Sequence, residues 1–64
     1  MRIYRGWVLG RVDGREWTIV GSNKIRAQQW YVLQSGEDKR SMRREELIDG
    51  IESGVIKYLR SISV

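Results

Sequence analysis

The stretch Trp7-Val8-Leu9-Gly10-Arg11-Val12-Asp13-Gly14-Arg15-Glu16-Trp17-Thr18-Ile19-Val20 decides the fold. Two runs rich in Trp and β-branched residues flank an Asp-Gly pair. That pattern is the strongest short-range signal for a β-hairpin, because Asp and Gly tolerate the left-handed backbone a tight turn needs. A two-residue turn fixes the register. It predicts Val12 opposite Arg15, Arg11 opposite Glu16, Gly10 opposite Trp17, Leu9 opposite Thr18, Val8 opposite Ile19 and Trp7 opposite Val20. One face then carries Tyr4, Val8, Val12, Trp17 and Ile19, with Gly10 leaving room for the Trp17 indole. The other carries Ile3, Arg5, Trp7, Leu9 and Arg11, with Glu16, Thr18 and Val20 opposite. Arg11 and Glu16 form a cross-strand ion pair worth about 0.2–1 kcal/mol at an exposed site.

Working outward, Gly21-Ser22-Asn23-Lys24 reads as a turn, and Ile25 to Ala27 fits no single element. Gln28 to Gln34 reads as a third strand, with Trp30 and Val32 on one face and Tyr31 and Leu33 on the other. Ser35-Gly36-Glu37-Asp38 is an acidic turn. Ser41 to Ser53 reads as a helix with Ser41 as N-cap. Leu47, Ile48 and Ile51 form its apolar stripe, and Arg44 lies on that stripe with room to bury its stem. Glu45, Asp49 and Glu52 face solvent. Gly54 sits where a left-handed residue ends a helix. Gly50 weakens the helix by up to about 1 kcal/mol relative to Ala, or permits close packing on the sheet. Val55 to Val64 alternates as a last strand, with Ile56, Tyr58 and Ile62 on one face and Val55 and Leu59 on the other. The order β-β-β-α-β predicts a single α+β domain over residues 1–64, a small mostly antiparallel sheet carrying one helix. The alternative is an SH3-like small barrel closed from the same strands.

The composition narrows the function. A chain of 64 residues buries roughly 60% of the surface its unfolded form exposes, which is one small core. Cys, His and Pro are all absent. Without Cys there is no disulfide and no thiolate metal site, and without His the usual general base and commonest neutral metal ligand are missing. Catalysis is therefore not expected, and neither a cofactor nor a metal. Glu45 and Glu46 diverge on a helix, while Glu45 and Asp49 share its wet side and read as a solvated helix face. No apolar run approaches the ~20 residues of a membrane span, and the N-terminus lacks the apolar core of a signal peptide. The expected location is cytoplasmic.

The net charge is +4. Residues 1–34 hold six basic and two acidic side chains, whereas residues 35–64 hold six of each. The whole excess thus lies in the strand-rich half, and a partner feels such a patch more than the average.

Two groups of residues are candidates for contact. The first is the sheet face Arg5, Trp7, Leu9, Arg11 and Val20, where basic and apolar residues interleave. One helix covers one face, so this face is left to a closing barrel, a second copy of the chain or another protein, or single-stranded nucleic acid stacked on Trp7 with Arg5 and Arg11 on phosphates. The second group is Lys39, Arg40, Arg43 and Arg44 around the helix start, joined by Lys24 and Arg26. Cations oppose the helix dipole there, and a helix N-terminus holds phosphate well. Against that, Glu37, Asp38, Glu45 and Glu46 flank the cluster and make it an ordinary mixed-charge surface.

Leu33-Gln34-Ser35-Gly36, Ser41 through Glu45-Glu46-Leu47-Ile48, Ile51-Glu52-Ser53-Gly54 and Ile56-Lys57-Tyr58 resemble a small family of uncharacterised domains of Gram-positive bacteria and their phages. The resemblance covers about the last half of the chain, and Met42-Arg43-Arg44 departs from the acidic or Lys residues more usual there. It implies a phage or prophage source and carries over no activity. The expectation is a small non-enzymatic interaction module that self-associates. A nucleic-acid-binding protein is the first alternative, and a phage inhibitor of a host protein the second.

Overall fold

The computed structural model describes all 64 residues. Five strands form one antiparallel sheet: β1 (Trp7–Arg11), β2 (Glu16–Ile25), β3 (Gln28–Ser35), β4 (Asp38–Arg43) and β5 (Ile56–Ser61), with α1 (Arg44–Ser53) between the last two. The strand order is β4-β3-β2-β1-β5. The fold is α+β. The sheet is open and does not close into a barrel.

The first hairpin forms, but one residue away from the expected register. Val8 pairs with Thr18, Leu9 with Trp17 and Gly10 with Glu16. The loop is Val12-Asp13-Gly14 rather than Asp13-Gly14 alone. The Gly14 amide donates to the Arg11 carbonyl at 2.9 Å, and the Arg11 amide donates to the Arg15 carbonyl at 3.1 Å. Gly14 takes φ +85°, the left-handed residue that closes a three-residue loop. The Asp13 carboxylate accepts from the Arg15 amide at 3.0 Å. Because side chains alternate with period two, the shift exchanges the faces of β1. Leu9 joins Trp17 and Ile19 beneath the helix, and Val8 moves to the opposite face. The reason is core volume, since Leu9 opposite Trp17 brings two large apolar groups to the helix-covered side, where both are buried.

The expected turn at Gly21–Lys24 is instead strand. β2 runs ten residues, with a register shift between Ile19 and Gly21 that accommodates Val20 as a bulge. Ile25, at its end, pairs with Gln28, and Arg26-Ala27 is the turn. The helix is also shorter than expected. Asp38 to Arg43 extends the sheet as β4, paired with β3 from Ser35↔Asp38 to Trp30↔Arg43. Ser41 is thus a strand residue and not an N-cap. Two forces favour this. The ladder satisfies an edge of β3, and starting the helix at Arg44 puts Glu45 and Glu46 in its first turn, where they offset Arg43 and Arg44 at its positive end. Arg43 occupies the cap position without a side-chain cap bond, and its guanidinium pairs with Glu46 at 2.9 Å. At the other end Gly54 is left-handed, as expected.

The core comprises Leu9, Trp17, Ile19, Tyr31, Leu33, Leu47 and Ile56, with Ile3, Trp7, Met42 and Ile51 packed against it. Gly50 is a contact point and not a flaw: a Cβ there would lie 2.5 Å from Ile56 Cδ1, so only glycine lets α1 approach β5 this closely. Trp17 is covered by two guanidiniums, Arg15 at 4.7 Å and Arg40 at 5.2 Å from its ring centroid. Arg15 is held there by Asp38 at 2.8 Å.

Candidate functional site

The five residues expected on one exposed face do not share one. Leu9 is fully buried in the core. Trp7 is half-buried, packs on that core and meets Tyr58 edge-on at 5.0 Å. Arg11 pairs with Ile56 on the helix side, and its Nε is buried without a hydrogen-bond partner. Val20 sits in the β2 bulge. Arg5 is exposed and lines a cleft of about 460 Å³ with Ile3, Ile19, Gly21, Ser22, Gln29 and Tyr31. The Trp7 stacking platform flanked by Arg5 and Arg11 is therefore not formed.

The second group divides. Lys39 and Arg40 belong to β4 and not to the helix start. Register puts Lys39 and Arg43 on the face away from the helix, opposite Gln34 and Trp30, and Arg40 on the helix face opposite Leu33. Arg44 donates to the Met1 carbonyl. The expected Arg11–Glu16 pair is replaced by Arg60–Glu16 at 2.7 Å. Since β1 lies between β5 and β2, this pair crosses β1, and with Leu59 over Gly10 it accounts for the burial of Val8 on the helix-free side.

Two surfaces emerge that the sequence reading did not assemble. One is an apolar rim beside β5. Val12, Val55 and Leu59 surround a shallow concavity of about 350 Å³ floored by Gly10, with Lys57 at its margin. Tyr58, Ile62 and Val64 are exposed as well, with Tyr58 beside Leu9 and against Trp7 on the helix side, and Tyr4 stands 6.0 Å from Trp7. The signal for this rim was present. Val12 is a β-branched residue in the first loop and Val55 one that follows the helix-ending Gly54, where packing into a core is not available to them.

The other surface is the upper end of the β2–β3 hairpin. β1 pairs only with the lower part of β2 and β4 reaches only as far as Trp30 on β3, so residues 24–29 form a two-stranded ribbon. Residues 22–28 are all exposed. No acidic residue occurs between Trp17 and Gly36. The acids lie elsewhere, with Glu45, Glu46, Asp49 and Glu52 on α1 and Asp13, Glu16, Glu37 and Asp38 at the opposite end of the sheet. No group of three or more His, Cys, Asp or Glu side chains is arranged to hold a metal ion, and no helix is long and apolar enough to cross a membrane.

No family model, curated protein or solved structure matches this chain. The residues themselves carry the functional argument.

Proposed function

We propose that the protein is a non-enzymatic interaction module that associates with a second copy of itself through the rim beside β5. The supporting observation is where the exposed large apolar side chains gather. Of nine, seven (Tyr4, Val12, Val55, Tyr58, Leu59, Ile62 and Val64) belong to β5 or its neighbours, which leaves only Met1 and Ile25 elsewhere. Val12, Val55 and Leu59 meet around one concavity, and an apolar patch of this kind marks a contact surface. It offers little that would select a polar ligand, whereas a two-fold axis sets Val12, Val55 and Leu59 against their own counterparts.

The contact is made by side chains and not by strand addition. β5 has a register irregularity opposite Val8 and Leu9 that leaves Leu59 unmatched, and a bulge in an edge strand blunts backbone pairing. The opposite edge, β4, is Asp-Lys-Arg-Ser-Met-Arg, and its charges discourage pairing there. Sedimentation equilibrium between 5 and 200 μM (roughly the range of weak dimers) tests the reading. A dimer is expected, and Val12→Glu with Val55→Lys should weaken it at least tenfold without loss of fold, since both side chains are exposed. A monomer across that range overturns it.

A further inference from the structure

We infer that the β2–β3 ribbon is a DNA-binding arm that enters the major groove of a B-form duplex. Arg26 and Ala27 both take left-handed conformations, at φ 50° and φ 66°. Left-handed pairs in two-residue hairpin loops are ordinarily Asn-Gly or Gly-Gly, because a Cβ makes this conformation costly. The other two hairpin turns each put a glycine in their left-handed position, Gly14 and Gly36. The ribbon tip alone is strained, and strain kept in an exposed loop points to function at that loop. What the strain presents is Arg26, at the outermost point of the ribbon.

The ribbon's side chains suit this target. Between Ser22 and Gln29 it carries Asn23, Lys24, Arg26, Gln28 and Gln29, with no carboxylate. Arg and Lys read guanine edges, Asn and Gln read adenine, and an exposed aliphatic such as Ile25 suits the thymine methyl. Two paired rows and the turn carry Arg26 about 10 Å beyond the Asn23–Trp30 row, the last that β4 flanks, which matches the ~8.5 Å depth of the major groove, whose ~12 Å width admits a two-stranded ribbon. Cations flank both faces at the base. Arg5 lines the cleft on one side with Ser22 and Gln29. On the other, Arg43 stands opposite Trp30, and Trp30 opposite Asn23. A groove reader needs this arrangement: base-edge donors in the middle and phosphate contacts to either side. α1 runs from Arg43 at the ribbon's base toward Ile56 opposite Arg11, so Asp49 and Glu52 lie away from the ribbon and Glu46 is taken up by Arg43, which leaves the ribbon as the orientation a polyanion favours.

The test uses fluorescence anisotropy with a labelled 16-base-pair DNA duplex (about one and a half helical turns), the same sequence as duplex RNA, and the single strand. DNA duplex should bind at least tenfold more tightly than duplex RNA, whose narrow major groove excludes side chains. With Lys24, Arg26 and Arg5 engaged and Arg43 held by Glu46, affinity should fall about 40-fold between 50 and 200 mM salt. Replacing Arg26-Ala27 by Asn-Gly keeps the turn and removes the arginine, and should weaken DNA binding at least tenfold while the domain becomes more stable. Lys24→Glu with Arg26→Glu should abolish binding. Adding Asp49→Lys and Glu52→Lys, which restores the net charge on the far side of the molecule, should not recover it. Absence of salt-dependent binding to DNA overturns the inference. So does equal binding of duplex RNA, single strand or heparin, or recovery by the helix charges. Rim variants at Val12 and Val55 leave the ribbon intact, so failure of self-association and failure of DNA binding are separately visible.

Discussion

The first and second hairpins make the same reversal with opposite chemistry. The β1–β2 loop follows local preference at each step: Gly14 takes the left-handed position, the Asp13 carboxylate satisfies the Arg15 amide, and the Arg11 carbonyl is bonded back across the loop. Its strands deliver Leu9, Trp17 and Ile19 to the core. The β2–β3 tip goes against local preference with Arg26 and Ala27, and the ribbon beneath it delivers nothing to the core above Tyr31. Where preference and conformation agree, the chain is building the domain. Where they conflict, something other than stability has kept the residue.

The sharpest way to break this comparison is to truncate one apolar side chain in each hairpin. Leu9 is fully enclosed, so Leu9→Ala should cost about 2–5 kcal/mol. In a domain this small that is most of the available stability, and urea titration should find it largely unfolded. Ile25 is 55% exposed at the ribbon's end. Ile25→Ala should move stability by less than about 0.5 kcal/mol. A comparable loss at both positions would mean that the ribbon is part of the cooperative core.

A smaller effect isolates the first turn. A Cβ at Gly14 would meet no atom within 4 Å, so Gly14→Ala probes the backbone alone. At φ +85° the substitution should cost about 1–2 kcal/mol. The expected readout is a Tm lower by roughly 4–16 °C for a domain of this size.

These same residues mark how far the sequence could be read. Asp13-Gly14 announced the hairpin, and Leu47, Ile51 and Gly54 announced the helix and its end, because each signal is local. Tyr31 and Leu33 were assigned to one face and are buried together. The register was not legible, since Asp-Gly serves a two-residue loop and a three-residue loop equally, and burial of Leu9 against Trp17 made the choice. β4 was hidden for a related reason. Ser41 with acidic residues behind it is a fair helix start, and it lost to the ladder that β3 offered. Trp7, Leu9 and Arg11 share a face in either register, but the observed one turns that face beneath the helix, so it is not the exposed face expected with Arg5 and Val20. Lys24 and Arg26 had been singled out by charge alone. Their position on a ribbon clear of the core needed the bulge at Val20, which lets β2 continue where a turn was expected.

A modest gain in stability at the ribbon tip carries the most about purpose. Substituting Asn-Gly for Arg26-Ala27 supplies residues that accept the two left-handed conformations with little penalty. The domain should gain roughly 1 kcal/mol, seen as a Tm higher by about 4–8 °C. A gain of that kind from exposed residues that touch no core means that the natural tip is held away from its most stable sequence. Drift below a stability threshold could also leave an unoptimised turn, but drift gives no reason for the lost stability to coincide with lost DNA affinity. The same variant, measured both ways, separates the two. Higher Tm with unchanged DNA binding makes the strained tip an accident, and higher Tm with weakened binding makes Arg26 the reason the strain is kept.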